Sequence, residues 1–259
     1  MESAALHYVE LKDVRKFYGT GSATIAAVGS ASFAVASGEF VSLIGPSGCG
    51  KSTLLMMIGG LERPTEGTIS VAGKPVLGPS TDIGIMFQDS TLLPWKTALE
   101  NVLFPIVIQK RMSPYFKDRA VELLSTVGLR KFLGKRPAEL SGGMKQRVSI
   151  CRALIQDPHL LLMDEPFSAL DAISRDDLGE LLLDIWQKTH KTAVFVTHSI
   201  REAVFLSDRV IVMSSRPSEI IEDIPVPFGR PRTVAVQETQ EYAALCARLR
   251  SKIGSHHDD

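Results

Sequence analysis

The sequence predicts an α/β fold with three parts: a mostly parallel core sheet, an N-terminal antiparallel β subdomain, and a helical subdomain inserted part-way along. Three observations predict it. Short apolar runs that read as buried strands alternate with helical segments, as in a parallel sheet covered on both faces. A glycine-rich loop separates one such strand from a helix. Residues 89–156 carry helical periodicity and prolines at 94, 105, 114 and 137, without a long strand signal.

The antiparallel part comes first. His7–Leu11 and Ala31–Val35 alternate apolar and polar residues, the signature of a sheet with one wet face. Between them Lys16-Phe17-Tyr18-Gly19 ends in a turn. Tyr18, ahead of that glycine, can stack on a flat base or pack on the sheet.

Next, Phe40–Ile44 reads as a buried strand, and Leu54–Ile58 as a helix start. Between them lies Gly45-Pro46-Ser47-Gly48-Cys49-Gly50-Lys51-Ser52-Thr53, the Gly-x-x-x-x-Gly-Lys-Ser pattern of a phosphate-binding P-loop. Glycines let successive backbone N–H groups turn toward an anion where a Cβ would clash. The helix N-terminus adds unpaired donors and the positive end of its dipole. Lys51 can reach the β- and γ-phosphates, and the Ser52 hydroxyl can ligate Mg²⁺. The core is therefore a P-loop NTPase fold.

Gly59 and Gly60, then Pro64, stop the helix. Glu66–Val71 returns to alternation, and Ile83–Gln88 reads as a buried strand ending on a glutamine. The helical insertion closes with Leu140-Ser141-Gly142-Gly143-Met144-Lys145-Gln146-Arg147. Ser141 can cap a helix whose first donors stay open, offering a second anion site; read alone, Ser-Gly-Gly is a turn. His159–Glu165 is an apolar strand ending in two acids. Adjacent side chains at a strand's end point to opposite sides, so one carboxylate can serve Mg²⁺ through water and the other the nucleophile. Ser168–Asp171 is a tight turn, Thr192–His198 a buried strand ending in a polar pair, and Arg209–Met213 a further strand. Ligands of such sheets bind outside the carboxyl ends of the strands. Gly45, Gln88, Asp164, Glu165 and His198 all fall there.

Four segments follow: 1–88, the antiparallel subdomain and P-loop; 89–156, the helical subdomain; 157–215, the rest of the core; and 216–259, an extension. Prolines at 217, 225, 227 and 231 predict an extended stretch, and Glu238–Lys252 an amphipathic helix. Gly254–Asp259 reads as a frayed polar tail in which His256 and His257 are solvated rather than metal-binding.

Bulk properties exclude several classes. Lys+Arg and Asp+Glu both number 29, so no global field calls for nucleic acid. Cys49, Cys151 and Cys246 form no C-x-x-C pair, which argues against a disulfide scaffold or structural zinc and for a reducing compartment. Met1–Glu10 lacks the pattern of a signal peptide. No apolar run approaches the ~20 residues that span a bilayer.

Taken together, these residues resemble the ATP-binding cassette (ABC) ATPase family. Six elements match in order: Tyr18 (A-loop), Gly45–Thr53 (Walker A), Gln88 (Q-loop), Leu140–Gln146 (signature), Leu160–Glu165 (Walker B and its glutamate) and His198 (switch histidine). Asp171 fits the D-loop. The resemblance covers roughly residues 7–215. It implies ATP and Mg²⁺ as cofactors, and a head-to-tail pair of cassettes in which ATP lies between one chain's P-loop and the other's Ser141-Gly142-Gly143, with Gln146 and Asp171 also at the nucleotide. It further implies that Lys51 and Ser141 flank the γ-phosphate, that Ser52, Gln88 and Asp164 organise the metal, that Glu165 activates water, and that His198 contacts the γ-phosphate.

The segment Asp89–Val102, with Leu92-Leu93-Pro94-Trp95, looks like importer ATPases of the nitrate/sulfonate/taurine type, as does Ser199–Arg209. That resemblance implies a peripheral subunit on the cytoplasmic face of the membrane. Its partners would be a second copy, an integral membrane permease and, indirectly, an extracytoplasmic solute-binding protein. Leu92, Leu93 and Trp95 line a groove for a permease helix or belong to the core. Pyrimidine (thiamine-precursor) import, export or lipid trafficking, and action on a macromolecule are the alternatives.

Overall fold

In the computed structural model, which describes residues 7–19 and 24–254, the chain begins with two long strands, β1 (His7–Tyr18) and β2 (Ile25–Ala36). They pair antiparallel, Val9 opposite Val35 and Leu11 opposite Phe33. The expected alternation is present: Val9, Leu11 and Val14 are buried and Lys12 is exposed. Both strands run further than the short elements expected, because bulges between Leu11 and Val14 let the pairing resume after a register shift. Then come β3 (Phe40–Ile44), α1 (Lys51–Ile58), β4 (Glu66–Val71), β5 (Lys74–Pro75) and β6 (Ile83–Met86). The antiparallel sheet has the order β2-β1-β4-β5.

Only helices separate β6 from the next strand: α2 (Ala98–Ile108), α3 (Pro114–Thr126) and α4 (Gly142–Leu154), with 3₁₀ turns at Arg130–Phe132 and Pro137–Glu139. A capping box opens α2: the Thr97 hydroxyl accepts from the Glu100 N–H at 3.2 Å, and the Glu100 carboxylate from the Thr97 N–H at 2.8 Å. Buried Asn101 holds the segment ahead of that helix. Its amide donates to the carbonyls of Leu93, Lys96 and Thr97, and its oxygen accepts from the Leu93 N–H.

The core resumes with β7 (Leu160–Asp164), α5 (Ala172–Thr189), β8 (Thr192–Val196), α6 (Ile200–Leu206) and β9 (Arg209–Met213). It ends with β10 (Ile220–Pro225), a 3₁₀ turn at Val234–Glu238 and α7 (Gln240–Gly254). The larger sheet has the order β10-β9-β3-β8-β7-β6. All neighbours are parallel except β10, which runs antiparallel to β9. Within the extended proline-rich stretch, residues 220–225 thus form an edge strand. An edge position tolerates Pro225, which cannot donate to a ladder.

Every residue of β3, β7 and β8 is buried, yet the two-residue period still sorts them. Val41, Leu43, Leu162 and Val194 pack toward α1 and the antiparallel sheet. Phe40, Ile44, Met163 and Phe195 pack toward the helices of the opposite layer. The parallel strands end together on one edge, where β3 hands over to the P-loop. Among the described residues no helix is long and apolar enough to cross a membrane. Met1–Leu6, the first part of the region read as lacking a signal peptide, lie outside the described residues, as do His256 and His257.

Candidate active site

The loop between β3 and α1 is shaped by close backbone approach. Gly50 has φ 106°, and a Cβ there would sit 2.4 Å from the Ala27 carbonyl oxygen. At Gly45 a Cβ would sit 2.6 Å from the Met213 carbonyl oxygen. No side chain caps α1 and no acid lies in its first turn, so the helix's positive end stays available to an anion. Ser47 and Gly48 are exposed; Pro46 and Cys49 are buried. Lys51 is 5% exposed. Its ammonium donates to the carbonyls of Gly45 and Pro46, each at 2.9 Å. The charge is thus held by two loop dipoles that a phosphate oxygen could outbid.

On the neighbouring strand ends, the Ser52 hydroxyl donates to Asp164 at 2.8 Å. Asp164 is 7% exposed. Burial pushes its carboxyl above the ordinary range, the Ser52 bond opposes this, and Glu165 adds to the rise. Two hard oxygen donors meet here without a larger cage: no group of three or more His, Cys, Asp or Glu side chains could hold a metal among the described residues. That suits Mg²⁺, which takes one or two protein oxygens and fills its shell with phosphate and water. Strand β7 stops at Asp164. Glu165 follows with φ 43°, its N–H bonded to the Val196 carbonyl at 2.8 Å. This left-handed turn separates the two acids and aims the Glu165 carboxylate at His198, whose Nδ1 lies 2.9 Å away. Gln88 lies beyond the end of β6, which stops at Met86, and is exposed.

Tyr18 ends β1, 42% exposed. The Lys16 ammonium lies 4.8 Å from its ring centroid and pairs with Glu62 at 2.6 Å, so one face of the ring carries a cation. Thr53 is half-buried in the first turn of α1.

The second candidate anion site lies at the start of α4. Ser141 is the N-cap, its hydroxyl accepting from the Met144 N–H at 3.3 Å, and Gly142 is exposed. Among the described residues, no hydrogen bond joins residues 141–147 to the P-loop. Gln146, expected at the nucleotide, turns inward. It is 4% exposed and its amide donates to the Gln88 carbonyl at 3.1 Å. One helical turn after Gly142, its side chain falls on the buried face of α4, so within this chain it ties the signature helix to the Gln88 segment. Asp171 caps α5, accepting from the Ser174 N–H at 3.0 Å and the Ser174 hydroxyl at 2.7 Å. These bonds hold its carboxyl below the usual range.

Three buried or bridging groups have no signal in the sequence. Arg152 on α4 donates to the carbonyls of Ser90 and Thr91 at 2.7 and 2.8 Å, a second tie from the signature helix to the segment after Gln88. Arg232 reaches from the extension to the carbonyls of Val204, Phe205 and Ser207 at the end of α6. Glu202 on α6 accepts from the Thr197 hydroxyl at 2.6 Å. The partners of Arg152 and Arg232 lie far away in sequence, and the Glu202–Thr197 bond joins a strand end to a helix start with no periodic trace.

Comparison with known proteins follows the same lines. Residues 28–168 match the ABC transporter family model. An uncharacterized ABC transporter ATP-binding protein of Methanocaldococcus jannaschii is 44% identical over 90% of this chain and 88% of its own length. The aliphatic sulfonates import ATP-binding protein SsuB of Bacillus thuringiensis is 42% identical over 90% of this chain and 92% of its own length. Among solved structures, a dimeric post-hydrolysis state of the ATP-binding cassette MJ0796 bound to ADP and Pi is similar with a TM-score of 0.75 at 36% identity, covering 85% of this chain and 100% of that one.

Proposed function

This chain belongs to the ABC transporter family and is an ATP-binding hydrolase of that type; on that premise we propose that it drives an importer of small organic or inorganic anions, aliphatic sulfonates foremost. The observation that carries the catalytic reading is the meeting of Lys51, Ser52–Asp164 and Glu165–His198 on one sheet edge. In this reading Lys51 leaves the Gly45 and Pro46 carbonyls for the β- and γ-phosphates of ATP. Backbone N–H groups of residues 47–53 cradle the phosphates, and Tyr18 stacks on the base with its cation-free face. Ser52, Asp164 and Gln88 would hold Mg²⁺, which when bound would supply positive charge to the transferred phosphoryl group. Glu165 orients the attacking water and takes its proton. His198, kept in place by Glu165, contacts the γ-phosphate. Catalysis is then positioning and charge stabilisation, as phosphoryl transfer demands.

The second anion site serves a second copy. Ser141, Gly142 and Gly143 close on the ATP held by the partner's P-loop, with Asp171 beside them, and two-fold symmetry makes two such sites. The dimeric cassette MJ0796 supports this arrangement. Residues 89–156 act as one helical unit between 1–88 and 157–215, with 216–259 as an appendage.

The importer reading draws on the SsuB similarity and on Trp95. That ring is 67% exposed on a segment which Asn101 pins down, so it is presented rather than buried. A permease helix at the cytoplasmic membrane face would cover it, with a solute-binding protein on the far side. Reconstitution with a permease and binding protein in liposomes tests the whole reading: sulfonate should stimulate ATP hydrolysis and uptake. Trp95→Ala should abolish uptake and spare basal hydrolysis. Uptake unaffected by Trp95→Ala refutes the Trp95 docking role, and no stimulation of hydrolysis or uptake by any small anion refutes the anion-importer assignment.

A further inference from the structure

A buried carboxylate costs free energy unless its partners repay it, and Glu202 has no part in the steps above. It sits one turn into α6, just after the His198 loop, with its side chain 12% exposed. One of its oxygens accepts from the Thr197 hydroxyl at 2.6 Å. That hydroxyl accepts from the Ser199 N–H at 2.9 Å, and the Ser199 hydroxyl accepts from the Glu202 N–H at 3.3 Å. The residues on both sides of His198 are thereby fastened to Glu202.

The other oxygen faces Arg175 Nε at 3.4 Å, a charge contact too skewed to count as a hydrogen bond. Arg175 lies in the first turn of α5, its N–H bonded to the Asp171 carbonyl at 3.0 Å and its guanidinium to the Leu170 carbonyl at 3.1 Å. A single carboxylate therefore joins two turns that are far apart in sequence. Beside the Arg175–Glu202 pair lies a cavity of about 220 Å³, bordered also by Phe167, Gly179, Phe205 and Gln237. The pair is thus not locked by packing on every side. Glu165, His198 and Arg175 are the charged or titratable groups that act on Glu202.

We propose that Glu202 is a positioning residue for ATP hydrolysis: through Arg175 it couples the His198 loop of one active site to the Asp171 turn that faces the other. This rests on the roles given above to His198 and Asp171. The experiment measures kcat and KM for ATP in Glu202→Ala, Glu202→Gln, Arg175→Met and the Glu202→Gln/Arg175→Met double variant, and repeats Glu202→Gln on a His198→Ala background. A misplaced reacting group costs up to about 100-fold, so Glu202→Ala should lower kcat by about 10- to 100-fold with KM for ATP unchanged. Glu202→Gln, which keeps an acceptor for Thr197 and loses the charge, should fall less. The double variant should match the worse single variant, and His198→Ala should mask Glu202→Gln altogether. Normal kcat in folded Glu202→Ala overturns the proposal, as does normal kcat in Glu202→Gln should the alanine variant not fold. Losses that multiply in the double variant, or that fall on kcat, KM and melting temperature together, also overturn it. Normal turnover in His198→Ala would remove the His198 role and this proposal with it. A defective His198→Ala beside a normal Glu202→Ala removes this proposal alone.

Discussion

At the residue scale, the P-loop lysine shows how a charge is stored before it is used. Two carbonyls hold the Lys51 ammonium at 2.9 Å each; on the proposed reading, binding ATP exchanges these neutral acceptors for anionic ones, which make the stronger charge-assisted bonds. Lys51→Ala removes that exchange. Nucleotide affinity should drop by about 2–3 kcal/mol, read by titration with a non-hydrolysable ATP analogue; unchanged affinity would remove Lys51 from the phosphate site. Glu165, bonded to His198 at 2.9 Å, is proposed to serve proton transfer rather than binding. Glu165→Gln should keep ATP affinity and lose about 10²- to 10⁴-fold in kcat, the usual worth of a general base. Turnover near the wild-type rate would assign the base elsewhere.

At the scale of elements, α6 is short and carries unusual responsibilities. Its first turn follows His198, and its end leaves carbonyls that no following turn satisfies. Arg232, buried, supplies donors to Val204, Phe205 and Ser207, and Arg230 reaches the Leu206 carbonyl at 2.6 Å. Burial, with Arg230 adding to it, pushes Arg232 down to about 10, so it still carries its charge at neutral pH. Arg232→Met should leave those carbonyls unpaired and destabilise the fold by about 2–3 kcal/mol, seen as a lower midpoint in urea with the slope unchanged. A wild-type midpoint would make the extension an ornament. In the sequence, Ser199–Arg209 stands out only by its likeness to importer ATPases. It contains no sign that residues in the twenties beyond it, on a proline-rich segment, finish the helix. Long-range capping of this kind leaves no periodic trace.

At the scale of the whole molecule, the two helix starts proposed to bind anions raise a question of assembly. One chain carries both and joins them by no hydrogen bond among its described residues. A methyl group added at Gly143 would meet nothing nearer than Ser174, at 3.9 Å, so Gly143→Ala with Ser141→Ala should fold normally. Its kcat should nonetheless fall by about 10²-fold, the cost of losing an oriented donor to the phosphoryl group. Mixed dimers locate the defect. With Lys51→Ala in one chain and Ser141→Ala/Gly143→Ala in the other, one intact site should survive. With all three changes in the same chain opposite a wild-type copy, both sites should fail. The reverse order in an ATPase assay, with the second mixture active and the first inactive, would mean that each site lies within one chain.

The sequence alone determined what depends on neighbours along the chain. The P-loop, the Ser141 cap, the paired acids at 164 and 165 and the apolar strands are local patterns, because a turn, a cap or a strand period is written within about ten residues. Folding decided the rest. The left-handed turn at Glu165, set by its bond to Val196, chose which acid meets His198. The inward face of α4 set Gln146 against the Gln88 carbonyl. The contacts of Arg152 with Ser90 and Thr91, of Arg175 with Glu202, and of Arg232 with the end of α6 exist only once segments distant in sequence are folded together. Contacts of that kind are properties of topology, and no local spacing encodes them.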